Sequence, residues 1–444
     1  MGRNKISKRE QAFIITVLLS LKLAKSMEKV FASVITIGDE LLIGQVIDTN
    51  SAWIAQELNK QGILVKHRVA VGDVWQDIWD ALDAEQQQAD IILITGGLGP
   101  TADDITKPLL CEYFGGKMVM HQPTLDHVTN IFENILKRPM IERNRKQAEV
   151  PDTCTVLLNE RGTAPGMLFE KNGKIFISMP GVPHEMKWIM QHHVLPLVQE
   201  KFQGGFVAHR TLLTAGVGES FLAERIKDVE SLLPSELKLA YLPNYGMVRL
   251  RLTGWSTNKV ELNSLIDYHF QQLKDAVQDI LITDQDEPVE VAIGKLLKEK
   301  GQTVSTAESC TGGYIAHLLT SVAGSSDYYM GSVVSYAYDL KEQLLGVDHE
   351  EMAQHGAVSE KVVTQMVKGA LANMKTDYAV AVSGIMGPGG GLPDKPVGTV
   401  WMAVASKHKV LAKKMHFRFD RKRNIELTAT QALLFLRELI VDKT

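Results

Sequence analysis

The sequence predicts an α/β protein with a largely parallel sheet near each end of the chain and a smaller α+β region between them. Apolar, β-branched runs alternate with segments that repeat apolar residues at helical spacing, and glycine-containing loops directly follow several of these runs. At 444 residues, 45% of them hydrophobic and 23% charged, the chain has the length and composition of about two to four globular domains, and we expect three.

Charge and cysteine content exclude several classes of function. The formal net charge of −4 offers no overall attraction to nucleic acid or to an anionic membrane, so small-molecule chemistry is favoured. The three cysteines, Cys111, Cys154 and Cys310, are too few and too scattered for a disulfide framework or a structural zinc site. We therefore expect a protein of a reducing compartment, the cytoplasm.

Residues 1–26 are interpreted as an N-terminal extension. Basic residues precede an apolar run from Phe13 to Leu21, as in a secretory signal, but no small-residue cleavage pattern follows and the run is too short to span a bilayer. We favour an extension in front of Met27, the usual start of the folded protein, and we expect no membrane partner.

The first folded region, residues 27–200, alternates strands and helices. We predict strands at 31–37, 63–71 and 91–95, and helices at 53–58 and 75–84. Two glycine-containing loops, Gly38–Asn50 and Gly96–Thr101, follow two of these strands. Because ligands bind α/β sheets beyond the carboxyl ends of parallel strands, the sequence predicts a binding site at these loops.

Carboxylates beside these glycines suggest metal-assisted phosphate chemistry, since hard cations prefer oxygen ligands and can bridge carboxylates to a pyrophosphate. We predict Asp39, Asp73 and Asp104 as metal ligands. The alternative is that Asp48 and Asp73 only cap loops, as aspartate commonly does. The predicted nucleotide and pyrophosphate site comprises Gly38, Asp39, Glu40, Asp48, Asn50, Asp73, Gly96, Gly97, Gly99, Thr101 and Asp104.

Two more regions follow. Gly204-Gly205 and the charged stretch Asp284–Pro288 delimit a middle α+β region, residues 201–286, with strands predicted at 210–215 and 247–253 and helices at 220–229 and 259–277. In residues 287–444 strands and helices alternate again, which predicts a second α/β domain. There we predict strands at 303–306, 378–382 and 398–404 and helices at 289–300, 311–319, 360–373 and 425–439.

Ser309 lies in a turn that enters a helix, within Ala307-Glu308-Ser309-Cys310-Thr311-Gly312-Gly313. Unpaired backbone N–H groups at such a turn can hold a phosphate or a developing oxyanion. From this segment alone a plain helix cap is the more usual explanation, because serine and threonine are common caps. For Lys341 alone, a solvated helix lysine is likewise the more usual explanation.

The order of motifs around Ser309 is more specific. A-E-S-C-T-G-G, A-G-S-S, Y-x-x-x-x-K-x-x-x-L-G-V, H-G-A-V-S, S-G-I-x-G-P and K-P-V-G-T-V-W follow one another from residue 307 to residue 401. This order resembles the C-terminal domain of the CinA family, the nicotinamide mononucleotide amidohydrolases. The resemblance implies that Ser309 is the nucleophile, assisted by Lys341 and Tyr336, and that no cofactor is needed. The pocket residues that we expect are Cys310, Thr311, Gly312, Gly313, Ser326, Ser383, Gly384 and Arg421.

This assignment is chemically coherent. A serine hydroxyl needs a base, and an amine serves as one if a low-dielectric pocket or a nearby cation lowers its pKa. We expect the amides from Cys310 to Gly313 to hold the oxyanion, and Arg421, or alternatively Arg423, to bind the phosphate. Cys310 is a rival nucleophile. Met386 stands where the family commonly has a small residue, and we expect it to narrow the pocket.

The front region resembles the molybdopterin-binding, MoaB/MogA-like domain of CinA proteins. The further motifs are Asn144-x-x-Gln147-Ala148, Asn159, Gly162–Gly166 and Pro180-Gly181-Val182-Pro183-x-Glu185-Met186. The resemblance implies an ADP-ribose pyrophosphatase that uses a divalent metal (Co, Mn or Mg) and potassium. Relatives in cofactor biosynthesis instead transfer an adenylyl group to a pterin.

The middle region resembles the KH-like module of the same family. The acidic residue in its Gly216-Val217-Gly218-Glu219 loop opposes contact with a nucleic-acid backbone, so we expect a structural or dimer-forming role and a homodimer by family analogy. The alternative function is a nucleotide-sensing competence or DNA-damage accessory protein in which one or both sites bind without turnover. A third possibility is that only the rear domain is active.

Overall fold

The computed structural model describes residues 29–101, 103–202 and 205–442, so the N-terminal extension of residues 1–26 lies outside the described residues. Among the residues described, no helix has the length and apolar character needed to cross a bilayer. The chain forms two compact units. Residues before Arg210 make up most of the first, residues from Asp267 onward make up most of the second, and the intervening segment is divided between them.

The elements are numbered here in chain order. The strands are β1 Phe31–Ile37, β2 Leu64–Val71, β3 Ile91–Thr95, β4 Met118–Met120, β5 Glu149–Pro151, β6 Thr155–Leu157, β7 Gly166–Lys171, β8 Lys174–Met179, β9 Phe206–Ala215, β10 Leu237–Asn244, β11 Met247–Ser256, β12 Leu281–Thr283, β13 Val304–Glu308, β14 Tyr329–Val334, β15 Tyr378–Gly384, β16 Thr399–Ser406 and β17 Val410–His416.

The α-helices are α1 Asp39–Leu42, α2 Thr49–Lys60, α3 Trp75–Gln86, α4 Thr106–Tyr113, α5 Gln122–Thr129, α6 Glu142–Arg145, α7 Pro183–Ile189, α8 Leu195–Lys201, α9 Glu219–Ser231, α10 Lys259–Ala276, α11 Val289–Lys300, α12 Tyr314–Thr320, α13 Tyr338–Leu345, α14 His349–His355, α15 Glu360–Met374 and α16 Arg421–Val441. Short π or 3-10 segments lie at Asn130–Ile135, Lys146–Ala148, Met190–Val194 and Ser325–Asp327.

The front sheet has six strands in the order β2-β1-β3-β8-β7-β6. The first four are parallel to one another, and β7 and β6 continue the sheet antiparallel. The predicted α/β domain with a largely parallel sheet is thereby confirmed. The predicted strand at 91–95 matches β3, and the helices predicted at 53–58 and 75–84 lie within longer helices, α2 and α3.

Alternating side chains of the front strands form two cores, one on each face of the sheet. Val34 of β1 packs with Ile54 and Leu58 of α2, whereas its neighbour Ile35 packs with Ile78 of α3. This follows from the two-residue period of a strand, which sends successive side chains to opposite faces. Strands buried on both faces explain the nearly continuous apolar runs in the sequence, and the result is a three-layer domain.

The middle region contains a four-stranded sheet in the order β10-β11-β9-β12, accompanied by helices α9 and α10. This agrees with the α+β prediction. The pattern analysis found β9 and β11 but missed β10 and β12. β12 has only three residues, and β10, with the sequence LKLAYLPN, contains no β-branched residue, so neither presents a long β-branched run.

The rear sheet has five strands in the order β14-β13-β15-β16-β17. β13 runs parallel to both β14 and β15, and β16 and β17 continue the sheet antiparallel. One core contains Val304 and Val380 with residues of α11 and α16, and the other contains Ala307 and Ala381 with residues of α13 and α15. The rear region is therefore also α/β, as predicted.

Two predicted boundaries near Ser309 were wrong. β13 continues to Glu308 rather than ending at Thr306, and α12 begins at Tyr314 rather than at Thr311. Residues 309–313 thus form a turn between a buried strand and a helix. The pattern analysis also missed β14 and α13, because β14 is an edge strand whose polar and apolar residues do not alternate regularly.

Candidate active site

Ser309 follows the carboxyl end of β13, at the centre of the rear sheet. Its N–H donates to the carbonyl oxygen of Val382 at 3.1 Å, which holds the turn against β15. Gly312 and Gly313 then take positive φ angles of 61° and 97°, which favour glycine and turn the chain into α12. The side chain of Ser309 is 9% exposed, so its hydroxyl lies at the floor of a site rather than on the surface.

The side chain of Lys341, in α13, contacts the hydroxyl of Ser309. Its Nζ lies 3.0 Å from Ser309 Oγ, 2.6 Å from the carbonyl oxygen of Ser335 and 3.2 Å from that of Tyr336. The side chain is only 1% exposed. The two carbonyls belong to the segment that follows β14. The amine on α13 therefore contacts both this segment and the turn that follows β13.

The surroundings of Lys341 shift its ionisation toward the neutral form. Burial lowers the pKa of this amine, and in the part of the chain that the structure describes no carboxylate forms an ion pair with it. A neutral amine has two N–H donors and one lone pair. When the two carbonyls accept both N–H groups, the lone pair faces the hydroxyl of Ser309, which is the arrangement of a base and its nucleophile.

Cys310 is less suited to be the nucleophile. Its side chain is buried in an apolar core with Ile315 and Val400. Burial, reinforced by the nearby Glu308, raises the pKa of the thiol to about 12, so the reactive thiolate is scarce near neutral pH. The geometry favours Ser309 over its neighbour.

Tyr336 and Arg421 meet at the open side of the site. Arg421 Nη2 donates to the hydroxyl of Tyr336 at 3.1 Å, and its Nη1 donates to the carbonyl oxygen of Gly387 at 2.8 Å. The Tyr336 side chain is 61% exposed. The contact that Tyr336 makes with Lys341 is through its backbone carbonyl, whereas the phenol is directed to the guanidinium.

Arg421 is better placed than Arg423 to meet a ligand at this edge. Arg423 Nη1 contacts Glu426 at 3.1 Å, and its Nη2 donates to Asn244 at 3.0 Å. Both of its guanidinium contacts are thus made outside the Ser309 site. Arg421 instead lies beside Tyr336, with N–H donors to spare beyond the two that are used.

Two predicted pocket residues have other surroundings than expected. Ser326 precedes β14 at the end of the sheet opposite to Ser309, since Val304, the first residue of β13, pairs with Tyr329. The structure therefore does not bring Ser326 to Ser309 within one chain. Ser383 does lie at the correct edge, but it is buried and its hydroxyl donates to the carbonyl oxygen of Ala357 at 2.7 Å.

Met386 does not narrow an open pocket, contrary to the expectation from the sequence. Its side chain is 3% exposed and packs in the core with Val400 and Cys310. Its carbonyl oxygen accepts a hydrogen bond from the buried Asn424 at 3.1 Å. A Cβ added to Gly384 would lie 2.7 Å from Val400 Cγ2, 3.0 Å from the Thr399 carbonyl oxygen and 3.1 Å from Met386 Cε, so close packing against β16 favours glycine here.

The predicted oxyanion donors are fewer than expected. The Gly313 N–H donates to the carboxylate of Glu308, and the Gly312 N–H donates to the carbonyl oxygen of Ser309. The Thr311 hydroxyl also donates to Glu308. Among the described residues, the N–H groups of Cys310 and Thr311 donate to no protein acceptor, and these two amides remain for a ligand.

In the front unit, the carboxyl ends of β1, β2 and β3 place the predicted acidic and glycine residues at one edge. Asp39 Oδ1 accepts from the N–H of Asp73, and Asp73 Oδ2 accepts from the N–H of Asp39, each at 3.1 Å. Burial and repulsion from Asp39 and Glu40 raise the pKa of Asp73. Glu40 folds back over Gly38, where a Cβ would lie 2.6 Å from its carboxylate.

The carboxylate of Asp104 accepts hydrogen bonds from its own loop. Its carboxylate accepts hydrogen bonds from the N–H groups of Gly99 and Thr101, both at 2.8 Å, and from the Thr101 hydroxyl. Within residues 29–101, 103–202 and 205–442, no group of three or more His, Cys, Asp and Glu side chains is arranged to hold a metal ion. Asp39 and Asp73 thus lie together, but the predicted three-carboxylate set with Asp104 does not form.

The remaining front residues have structural contacts. Asp48 caps α2, accepting from the N–H and hydroxyl of Ser51, as the loop-cap alternative predicted. Asn50 donates to the carbonyl oxygen of Gly181 at 2.7 Å and so connects two loops of the site. Gly96 and Gly97 have positive φ angles, and a Cβ would collide with the Ile37 carbonyl at Gly96 and with the Thr106 hydroxyl at Gly97. The positive φ angles and these close contacts favour glycine at both positions without a bound ligand.

Comparison with known proteins matches three families along the chain. Residues 33–200 match the probable molybdopterin binding domain, residues 209–282 the damage-inducible protein CinA KH domain, and residues 286–440 the CinA C-terminal domain. A CinA-like protein of Flavobacterium psychrophilum is 45% identical over 403 residues, which are 90% of this chain and 96% of that protein. This chain belongs to the CinA family.

Further CinA-like relatives extend over nearly the whole chain. The CinA-like protein of Cytophaga hutchinsonii is 44% identical over 413 residues, covering 93% of this chain and 99% of that protein. Among solved structures, the competence/damage inducible protein CihA from Agrobacterium tumefaciens is 41% identical, with a TM-score of 0.34, and covers 34% of this chain and 93% of that one.

The sequence analysis of this CinA-like chain missed two residues of the site. Glu308 directly precedes Ser309 and is fully buried, and Ser335 is fully buried with a hydroxyl that has no hydrogen-bond partner among the described residues. A signal for Glu308 was present, because Thr306 and Glu308 are polar residues two apart in an otherwise buried strand. No comparable signal marks Ser335.

Proposed function

We propose that the rear domain hydrolyses the carboxamide of nicotinamide mononucleotide to nicotinate mononucleotide and ammonia. The observation that carries this proposal is the buried contact of 3.0 Å between Lys341 Nζ and Ser309 Oγ. An amine whose pKa is lowered by burial can take the proton of the hydroxyl, which converts a weak nucleophile into an effective one.

The reaction proceeds in two steps. Ser309 Oγ bonds to the carboxamide carbon while its proton passes to Lys341 Nζ, and the carbonyl electrons move to the oxygen. When the C–N bond breaks, the proton on Nζ passes to the leaving nitrogen, which departs as ammonia. Water, deprotonated by the neutral amine, then attacks the ester carbon and releases nicotinate mononucleotide and the Ser309 hydroxyl.

Arg421 accounts for recognition of the nucleotide phosphate. Its guanidinium is exposed, lies beside the exposed ring of Tyr336 and keeps donors free for a two-pronged contact with phosphate oxygens. Tyr336 therefore orients Arg421 in our proposal, rather than relaying the proton of Ser309.

We further propose that the front domain hydrolyses ADP-ribose to AMP and ribose 5-phosphate. The reciprocal Asp39–Asp73 pair supports this second activity, because one or two carboxylates together with substrate phosphates suffice to bind Mg²⁺. A divalent cation (Co, Mn or Mg) held by this pair would reduce the charge of the pyrophosphate. Both proposed substrates derive from NAD, so a role in pyridine-nucleotide salvage explains why the two domains occur in one chain.

Removal of the Ser309 hydroxyl should show whether the protein is an enzyme or a nucleotide sensor. We expect wild type to release ammonia from nicotinamide mononucleotide, Ser309→Ala to release none, and Cys310→Ala to remain active, as measured by a coupled ammonia assay. Tight binding of the nucleotide by wild type without ammonia release supports the sensor. An active Ser309→Ala variant together with an inactive Cys310→Ala variant reverses the assignment of the nucleophile.

The pH dependence of kcat/KM should report the ionisation of Lys341. Protonated Lys341 cannot accept the proton of Ser309, so activity should rise with pH and level off above the pKa of this amine. Because burial lowers that pKa, the midpoint should fall below the ordinary lysine value of about 10.4. Lys341→Arg, which stays protonated, should be inactive. A profile that is flat from about pH 5 to about pH 10 contradicts the role of Lys341.

Replacement of Arg421 should impair binding of the phosphate. A hydrogen-bonded charge pair contributes about 1.5–3 kcal/mol, so Arg421→Gln should raise KM for nicotinamide mononucleotide roughly 10- to 100-fold with little change in kcat. Arg423→Gln is the matched control and should change KM less than about threefold. Nicotinamide riboside lacks the phosphate, and an equal loss with this substrate contradicts the assignment.

The front activity should appear as AMP formed from ADP-ribose. We expect AMP only when Co, Mn or Mg is present, with potassium in the buffer, and a strong loss in Asp73→Asn because one carboxylate of the pair is removed. Ser309→Ala should form AMP at the wild-type rate. If wild type forms no AMP with any of the three metals, as followed by chromatography, the front-domain proposal is wrong.

A further inference from the structure

Glu308, the last residue of β13, accepts the hydrogen bonds that begin α12. Its Oε2 accepts from the Thr311 hydroxyl at 2.7 Å and from the N–H groups of Gly313 and Ile315 at 3.1 and 3.0 Å. Its Oε1 accepts from the N–H of Ala316 at 2.8 Å. One carboxylate thus joins the end of the strand to the first turn of the helix.

The opposite side of the same carboxylate is held by the sheet. The Thr306 hydroxyl donates to Ser332 Oγ at 2.7 Å and lies 3.3 Å from Glu308 Oε1 and from the Tyr329 hydroxyl. Glu308 is fully buried, and removing a carboxylate from water is costly unless several donors replace the solvent. The backbone and hydroxyl donors around Glu308, with the helix dipole, replace it here.

This arrangement determines where an anion can bind. The first N–H groups of a helix normally form an anion site, but at α12 Glu308 already occupies those of Gly313, Ile315 and Ala316. In the described part of the chain, the amides of Cys310 and Thr311 donate to no protein acceptor. These two amides directly follow the nucleophile, and the N–H after a nucleophilic serine is a common oxyanion donor.

We propose that Glu308 is a positioning residue, which locks the turn at Ser309 and reserves the N–H groups of Cys310 and Thr311 for the carboxamide oxygen. The inference rests on the proposed amidohydrolase function. As Ser309 Oγ bonds to the carbon, the negative charge that develops on the carboxamide oxygen is met by these two donors, and it returns to the carbonyl when the C–N bond breaks. Glu308 touches neither substrate nor reacting atoms and acts through the turn.

The direct test is Glu308→Gln in the full chain. The amide keeps the size of the side chain, but its NH2 group cannot accept a hydrogen bond. It must therefore face at least one buried N–H or O–H group that donated to the carboxylate, and we expect the turn to shift. A displacement of about 1 Å in a catalytic group costs on the order of 100-fold, and we expect kcat for nicotinamide mononucleotide to fall roughly 10- to 100-fold while KM changes less than about threefold.

Asp377→Asn is the matched control. Asp377 accepts from the N–H and hydroxyl of Thr303, at 2.9 and 3.0 Å, at the other end of the β13 segment. A variant there loses a carboxylate that accepts two hydrogen bonds from the same segment without touching the Ser309 turn, so its melting temperature should fall while its kcat stays within about twofold of wild type. An equal fall of kcat in both variants at matched folded fractions assigns Glu308 to stability alone and overturns the proposal.

Labelling by a fluorophosphonate probe makes the result independent of the substrate. In this reaction Ser309 Oγ bonds to phosphorus, fluoride leaves and the proton passes to Lys341, so the rate reports the turn and not the recognition of a nucleotide. We expect mass spectrometry to find the adduct on Ser309 in wild type, and Glu308→Gln to label at least about tenfold more slowly. Labelling of Glu308→Gln at the wild-type rate overturns the inference.

The two readouts distinguish the failure of the inference from the failure of the proposed function. If wild type labels at Ser309 but releases no ammonia, the substrate is wrong, and slow labelling of Glu308→Gln still supports the positioning role. If wild type does not label at Ser309, both fail.

A second variant covers the case in which Glu308→Gln does not fold. Thr311→Val removes only the hydroxyl donor to the carboxylate and should label roughly 3- to 10-fold more slowly, whereas Thr311→Ser, which keeps that donor, should recover at least about half of the wild-type rate. Equal rates for Val and Ser at this position overturn the proposal.

Discussion

The rear site depends on one interaction, the contact between a buried amine and a buried hydroxyl. Lys341 has two backbone carbonyls and Ser309 Oγ within hydrogen-bonding distance, and its side chain is almost fully removed from water. Burial lowers the pKa of this amine, and a neutral amine that donated to both carbonyls would direct its lone pair to the serine. If Lys341 is the base, as we propose, the carbonyls of Ser335 and Tyr336 fix both its position and its orientation.

The alternation of side chains along a strand explains why successive residues around Ser309 have different surroundings. Glu308 points toward α12, while Ala307 on the other face packs in the core beside α13. Ser309 continues the face of Ala307 and so meets Lys341, and Cys310 turns into the opposite apolar core. One residue of displacement along the chain exchanges these environments, which is why the neighbouring Ser309 and Cys310 side chains have such different surroundings.

The candidate sites of the front and rear regions lie at the same position relative to their sheets, but their side chains carry opposite charges. Asp39 and Asp73 come after β1 and β2, and Ser309 and Lys341 come after β13 and β14, so in both regions these residues follow the carboxyl ends of adjacent parallel strands. The front edge brings together Asp39 and Asp73, for which we propose a cation as an intermediary to phosphate. The rear edge presents Arg421, to which we assign direct binding of phosphate, and the amine of Lys341, to which we assign proton transfer.

The amino-acid sequence by itself determined the α/β class, the position of the glycine loops at strand ends and, through the ordered motifs, the family and the pairing of Ser309 with Lys341. These are properties of local pattern, since strand and helix periodicities and short motifs are written in consecutive residues. Only the tertiary structure decided that Asp104 serves its own loop, that Ser326 lies at the opposite end of the sheet, that Met386 is core, and that Glu308 occupies the helix amides. Which partner satisfies a buried polar group depends on residues brought together from distant segments, and spacing along the chain does not encode that choice.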